Sequence, residues 1–93
     1  MKQHTIYKYP LLITDEQILR IPANAELLAV QFQRDTLCLW ALVDPSTAAV
    51  DYKIHIYGTG NPVPVNPLQP PEIHLGTVQH HGGALVWHVF WAI

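Results

Sequence analysis

Histidine is the residue type in this chain with the widest chemical use, since it can act as a general base or a metal ligand. The chain has six histidines in 93 residues. His80 and His81 are adjacent, and in a glycine-bounded turn both could reach one ion. The spacings typical of protein zinc sites, with paired cysteines or histidines on one helix face, are missing. We therefore expect no metal site and no cofactor, and we interpret the histidines as solvated strand and turn residues.

A glycine-containing segment follows the longest alternating stretch. Residues 58–61 read Gly-Thr-Gly-Asn and could form a concave nest of backbone N–H groups that holds an anion. The predicted ligand-binding residues are then Gly58, Thr59 and Gly60 as backbone donors, Tyr57 or Trp91 stacked on a base, and Lys53 or Arg34 offsetting the ligand charge. The competing interpretation is an ordinary turn whose glycines supply positive φ, because the Lys-Ser/Thr and helix of a phosphate loop are missing.

The chain offers no evident nucleophile. Ser46 is the only serine, and it lies in an Asp-Pro-Ser turn without the neighbouring histidine and acid that nucleophilic catalysis needs. Cys38 lies in an apolar run, which is typical of a small buried hydrophobe. Asp44 and Asp51 could meet at the ends of neighbouring strands, but no feature assigns them separate acid and base roles. We assign no catalytic residue and expect a binding protein rather than an enzyme.

The apolar residues alternate with period two, which predicts β-strands. The predicted strands are Thr5–Tyr9, Gln17–Ile21, Leu28–Gln33, Leu37–Val43, Val50–Tyr57, Glu72–Gln79 and Ala84–Ala92. Five prolines in residues 62–71 predict an extended loop. The whole chain, residues 1–93, is predicted to be one all-β domain, a small antiparallel sandwich or barrel of six to seven strands.

Details of the alternation predict the exposure of particular strands. Leu28, Val30 and Phe32 are predicted to share one face, and Gly76 is predicted to form a bulge. Residues 37–43 are apolar on both faces, which indicates a central strand. In the last strand Phe90 and Trp91 face opposite sides, so at least one should meet solvent, a ligand or another subunit.

The amino-acid composition limits the classes of partner that the chain can bind. Only 13% of residues are charged, with a net charge of −2 and 49% hydrophobic residues. Five basic residues are too few for nonspecific nucleic-acid binding. The chain lacks a signal region and an 18-residue apolar run, so we expect a cytoplasmic protein without membrane contact. The low charge favours a homo-oligomer, and residues 84–93 are predicted to form an exposed edge that a second copy covers.

Four phrases in the chain together resemble a family. They are Ile6–Leu11 (IYKYPL), Leu39–Pro45 (LWALVDP), Ile56–Gly60 (IYGTG) and Trp87–Phe90 (WHVF). In this order, over nearly the whole chain, they resemble an uncharacterised family of short proteins from bacteria and tailed phages. The resemblance implies an accessory role in the host-cell cytoplasm, of the kind that inhibits host defence, and implies no catalytic residue.

These observations lead to one hypothesis and two alternatives. The hypothesis is a non-catalytic binding protein, a phage-encoded accessory or anti-defence factor that sequesters a small anionic nucleotide signal or blocks a host protein. The first alternative is a small nucleotide-cleaving enzyme that uses a histidine such as His55 or His88 as general base. The second is a structural subunit of a larger assembly.

Overall fold

A computed structural model describes residues 3–65 and 72–93 of the chain. The strands are β1 (Thr5–Leu11), β2 (Glu16–Pro22), β3 (Glu26–Gln33), β4 (Thr36–Val43), β5 (Ala49–Gly58), β6 (Ile73–His80) and β7 (Leu85–Ala92). A short 3₁₀ turn at His81–Gly83 joins β6 to β7. The described residues contain no α-helix, so the predicted all-β class is confirmed.

The strands form two antiparallel sheets. The three-stranded sheet has the order β1-β4-β3, and the four-stranded sheet has the order β2-β5-β7-β6. The buried residues form a single cluster drawn from both sheets, as expected when the apolar faces of two sheets pack together. The described chain measures 45 × 37 × 16 Å. The predicted small antiparallel sandwich is therefore confirmed.

Strand β4 is the central strand of its sheet, as its apolar sequence predicts. It pairs with β1 on one side and β3 on the other. Leu39 and Ala41 are fully buried between the sheets, and Cys38 is only 2% exposed. The structural interpretation of Cys38 as a small buried hydrophobe is consistent with this position.

Two bulges change the alternation. The pairing of β3 with β4 shifts between Leu27 and Ala29, so Leu27 packs against the core while Leu28 is 43% exposed. The prediction that Leu28 shares a face with Val30 was wrong, because an extra residue in one strand reverses the alternation beyond it. The pairing of β6 with β7 shifts between His74 and Gly76, which confirms the bulge predicted at Gly76.

The position of β7 corrects a second expectation. This strand lies between β5 and β6 and pairs with both, so residues 84–93 do not form the exposed edge that was predicted. Low charge in a strand fits a central place as well as a covered edge, because both remove the backbone groups from water. The homo-oligomer stays a prediction, without this edge as its basis.

Proline shapes the chain at two places. Strand β1 was expected to stop before Pro10, but it continues to Leu11. Strand β1 lies at the edge of its sheet, where a residue without an N–H donor is tolerated. Of the predicted proline-rich loop at 62–71, residues 62–65 form no strand, and residues 66–71 lie outside the described residues.

Two features bring the four-stranded sheet close to β3 and to the turn before it. A Cβ atom added at Gly76 would lie 2.9 Å from Val30 Cγ1, so the glycine lets β6 approach β3 closely. The hydroxyl of Tyr52, a residue 1% exposed, accepts a hydrogen bond of 3.1 Å from the backbone N–H of Ala25. This second contact ties β5 to the turn between β2 and β3.

We expect Tyr52→Phe to lower the free energy of unfolding by about 1–2 kcal/mol, because it leaves the N–H of Ala25 without its partner. Tyr7→Phe is the matched control, since Tyr7 is 40% exposed, and it should change stability by less than about 0.5 kcal/mol. Urea unfolding followed by tryptophan fluorescence measures both. Equal effects of the two substitutions would contradict the assigned role of the Tyr52 hydroxyl.

Candidate functional site

The outer face of the four-stranded sheet, called the outer face below, carries the polar and aromatic residues that its strands do not bury. Strand β5 alternates, with Tyr52, Ile54 and Ile56 buried and the residues between them facing out. The pairing aligns Glu16 with His55, His55 with Phe90, and Phe90 with His74. One row of four side chains therefore crosses all four strands, although their positions in the sequence are far apart.

Two carboxylates hold the imidazole of His55. Its Nδ1 contacts Glu72 Oε1, and its Nε2 lies 3.5 Å from Glu16 Oε2. Glu72 also accepts a hydrogen bond of 3.1 Å from the Tyr57 hydroxyl through Oε2. Its side chain is 22% exposed, against 59% for Glu16. Both ring nitrogens of His55 therefore face a carboxylate, and the contact at Nδ1 lies on the more buried side.

A hydrogen-bonded chain of hydroxyls and imidazoles lies beside this group. Thr59 Oγ1 is 2.7 Å from His88 Nε2, and Thr77 Oγ1 is 2.9 Å from His88 Nδ1. Thr77 Oγ1 also lies 3.1 Å from His74 Nε2. The four side chains thus connect the turn after β5 to the start of β6, and both nitrogens of His88 have a hydroxyl partner.

Aromatic rings occupy the centre of the outer face. Tyr57 and Phe90 meet edge to face with centroids 5.7 Å apart. His74 lies 5.1 Å from Phe90, and His55 lies 6.1 Å from Tyr57 with nearly parallel rings. Both Tyr57 and Phe90 are half-buried. A rigid ring cluster with part of its surface open to water is a common anchor in protein interfaces.

Negative charge surrounds the Tyr57 hydroxyl. Burial raises the pKa of Tyr57 above its usual value, and the carboxylates of Glu16 and Asp15 raise the pKa further. Both carboxylates oppose any further negative charge beside them, whether the phenolate of Tyr57 or an anionic ligand. A cation at Tyr57 would therefore be attracted by the same groups that would repel an anion.

A family model for a domain of unknown function, DUF7352, matches residues 2–92. The chain belongs to the DUF7352 family. No curated protein matches the chain, and no solved structure matches it either. Membership of an uncharacterised family is thus confirmed, while a bacterial or phage origin stays a prediction.

The glycine-containing segment of this DUF7352 chain forms a tight turn. The N–H of Asn61 donates to the Gly58 carbonyl at 3.0 Å, and the N–H of Thr59 donates to the Val86 carbonyl at 3.2 Å. Gly60 has a φ of 86°, a conformation that glycine adopts without strain. These bonds favour the interpretation as a turn. The anion nest stays a prediction, and one of its three predicted donors, the N–H of Thr59, is already bonded within the chain.

The predicted ligand-binding residues do not all meet. Tyr57, Thr59 and Lys53 belong to β5 or the turn after it. Trp91 packs on the inner face, 5.7 Å from Tyr52, so it lies across the sheet from Tyr57. Arg34 lies in the turn between β3 and β4, on the other sheet.

Several residues of the outer face were not singled out from the sequence. They are Glu16, Glu72, His74 and Thr77, which group with Phe90 around His55 and His88. Alternation alone would put His74 and Thr77 on opposite faces, and the bulge between His74 and Gly76 brings them to the same one. Their grouping depends on the strand order β2-β5-β7-β6, in which β2 and β5 are not consecutive, and no local signal in the sequence encodes that order.

The adjacent histidines lie elsewhere, at the end of β6. The rings of His80 and His81 stack with centroids 4.0 Å apart, and His80 stacks at the same distance on Phe32. In residues 3–65 and 72–93, no group of three or more His, Cys, Asp or Glu side chains is placed to hold a metal ion. The same residues include no helix of the length and apolarity needed to cross a membrane.

We expect Glu16→Gln to move the ionisation of Tyr57 to lower pH, because it removes one of the two carboxylates that raise the pKa of this tyrosine. Glu26→Gln, a carboxylate of the three-stranded sheet, is the control and should leave the titration unchanged. Tyrosinate absorbance, with the signal of Tyr57→Phe subtracted, measures the shift. An unchanged titration in Glu16→Gln would contradict the electrostatic picture.

The same shift predicts a loss of stability in alkali. The folded state holds the proton of Tyr57 more tightly than the unfolded state does. The contribution of this proton to the free energy of unfolding is therefore fully present below the unfolded tyrosine pKa of about 10, and it is lost as pH rises through the folded pKa. Tyr57→Phe should therefore flatten the alkaline side of the stability curve, measured by urea unfolding at several pH values. If the stability of Tyr57→Phe fell as steeply in alkali as that of the unmodified protein, the raised pKa of Tyr57 would be contradicted.

Proposed function

We propose that the chain is a non-catalytic binding protein whose outer face binds a basic segment of a partner protein. The observation that supports this most is the pair of half-buried rings, Tyr57 and Phe90, beside the carboxylates of Glu16 and Glu72. An arginine or lysine side chain can lie over a ring face while its charge meets a carboxylate. Rings and carboxylates on a rigid sheet supply both contacts without reorganisation.

Binding is favoured over catalysis by the state of the histidines. A general base needs a free nitrogen within hydrogen-bond reach of the proton that it removes. Both nitrogens of His55 face carboxylates, and both nitrogens of His88 face hydroxyls. Each imidazole therefore links neighbouring strands of the outer face, a structural role that needs no substrate.

The charge of the outer face distinguishes between a nucleotide and a host protein, the two ligands that the sequence-based hypothesis leaves open. A nucleotide stacked on Tyr57 would bring its phosphate towards Glu16, Asp15 and Glu72, which oppose it. A basic protein segment would be attracted by the same carboxylates. On this face we therefore favour the blocking of a protein over the sequestration of a nucleotide.

The family resemblance gives this proposal a biological setting. An accessory protein of a tailed phage that inhibits host defence acts by occupying its target, and it needs a surface rather than a catalytic group. In this proposal the chain acts in the host cytoplasm, one chain for each target molecule. Residues Tyr57 and Phe90 are the anchors, Glu16 selects a basic partner, and Glu72 holds Tyr57 and His55 in place.

A hexa-arginine peptide tests the surface directly. Added to the isotope-labelled protein, it should shift the NMR signals of His55, Tyr57 and Phe90, and it should bind at least about tenfold more weakly to the double variant Glu16→Gln/Glu72→Gln. The double variant Glu26→Gln/Asp35→Asn loses the same charge elsewhere and should bind as the unmodified protein does. Equal weakening of both variants, or shifts spread over both sheets, would contradict the proposal.

Two bait proteins then link the surface to a natural partner. Phe90→Glu changes the anchor ring, while Ile6→Glu changes an apolar residue of the other sheet that is 58% exposed. A basic host protein should be retained by the unmodified chain and by Ile6→Glu, and lost with Phe90→Glu. Circular dichroism of both variants checks the fold. Retention by Phe90→Glu would show that the partner binds elsewhere.

One observation favours a second function, a small nucleotide-cleaving enzyme. The Thr59 hydroxyl lies 2.7 Å from His88 Nε2, as in a nucleophile paired with its base. The group that orients His88 is the hydroxyl of Thr77 rather than a carboxylate. Incubation with a panel of cyclic nucleotides separates the two functions. A ligand released intact after heating indicates binding, and a cleaved product that Thr59→Val and His88→Gln abolish indicates the enzyme.

A further inference from the structure

A surface groove lies on the three-stranded sheet, away from the outer face. It is an open groove of about 540 Å³ at the end of the sheet where β1 finishes and the turn between β3 and β4 lies. Its lining residues are Lys8, Pro10, Gln33, Arg34, Thr36 and Cys38. The volume falls within the range of about 300–1,000 Å³ that small-molecule sites occupy.

The groove has positive charge without a compensating acid. Two of its lining residues, Lys8 and Arg34, are cationic, and none is a carboxylate. Lys8 Nζ donates a hydrogen bond of 2.8 Å to Gln33 Oε1, which positions the ammonium at the groove. Arg34 forms no ion pair with any residue of the described ranges. The carboxylate of Asp35 lies 3.9 Å from His80 Nε2 and does not line the groove.

The floor of the groove consists of small side chains. Pro10 lies opposite Cys38 in the pairing of β1 with β4, and Thr36 follows the turn. Cys38 is 2% exposed, so its thiol lies below the surface formed by the longer side chains. Lys8 and Arg34 line the same groove as these small side chains, so both cationic side chains border one open space.

The backbone of Arg34 is unusual for a charged residue. Its φ is 58°, in the left-handed region that glycine adopts freely and other residues adopt at a cost. An arginine at this position gives up backbone stability that glycine would provide. The two-residue hairpin turn between Gln33 and Thr36 requires such a φ, and this turn holds Arg34 at the groove.

We propose that this groove binds a phosphate-bearing small molecule, with the guanidinium of Arg34 and the ammonium of Lys8 on the phosphate. The planar guanidinium fork matches two phosphate oxygens, and the ammonium supplies a point charge. In this proposal Arg34 offsets the charge of the ligand, as the sequence analysis predicts. Its neighbour at the ligand is Lys8 rather than Tyr57. The groove and the outer face lie on different sheets, so either proposal can fail while the other stands.

Pyrophosphate and adenosine monophosphate are the two probes. Added separately to the isotope-labelled protein, at least one should shift the backbone signals of Gln33, Arg34, Thr36 and Cys38. Tighter binding of the nucleotide indicates contacts to the base or sugar, and equal binding indicates recognition of phosphate alone. The absence of shifts at these residues up to about 10 mM of either probe would overturn the proposal.

Three charge variants test the assignment. Lys8→Ala and Arg34→Ala should each weaken binding by about tenfold. Arg20→Ala removes the same charge from β2 of the four-stranded sheet and should leave binding unchanged. If Arg20→Ala weakened binding as much, the effect would be general attraction and the site would be refuted.

Arg34→Gly separates binding from folding. Glycine accepts the φ of 58° without strain, so this variant should melt at the same or a higher temperature and still lose the probe. Retained affinity in Arg34→Gly would overturn the role of the guanidinium. If the probes shifted the NMR signals of Gly58 and Gly60 in the unmodified protein instead of those of the groove residues, the groove proposal would also be overturned. The glycine turn would then be the anion site.

Discussion

The register of β5 against β7 is the constraint on which the rest of this structure depends. Ile54 pairs with Trp91 and Ile56 with Val89, and this row is turned inward. Because side chains alternate between the two faces, a slip of one residue would turn His55 into the core and Ile54 into water. The burial of large apolar residues thus determines which residues meet on the outer face.

The outer face follows from that register without a separate structural device. Once Ile54 and Val89 face inward, His55 and Phe90 must face outward beside each other. Strands β2 and β6 complete the row from either side, with Glu16 and His74. The polar members then contact one another across strands, so a chain with few charges holds a connected polar surface. We propose that this surface serves a partner rather than a chemical step.

The sequence predicts the strands well because the alternation is local. The inward residues of β5, the central place of β4 and the bulge at Gly76 all follow from patterns within a few residues. The exposure of Leu28 does not, since a bulge depends on how β3 pairs with its partner. The central place of β7 was also missed, because a strand with little charge reads alike whether it is central or a covered edge.

The candidate site was predicted in part and for a physical reason. His55, Tyr57 and His88 were singled out by residue type, and alternation puts them on one face. Glu72 and Thr77 were not, because their approach to these residues depends on how β6 pairs with β7 and on the order of non-consecutive strands. Arg34 was placed with Tyr57 on charge alone, whereas the turn that holds it belongs to the other sheet.

Contacts between ring protons test the central register most directly. In a nuclear Overhauser spectrum the Phe90 ring should show contacts to the rings of Tyr57 and His74, and Trp91 should show contacts to Tyr52. These contacts would place the rings on the two faces described here. Contacts from Phe90 to Tyr52 or Ile54 instead would mean that β7 is shifted by one residue, and the outer face as a binding surface would then not exist.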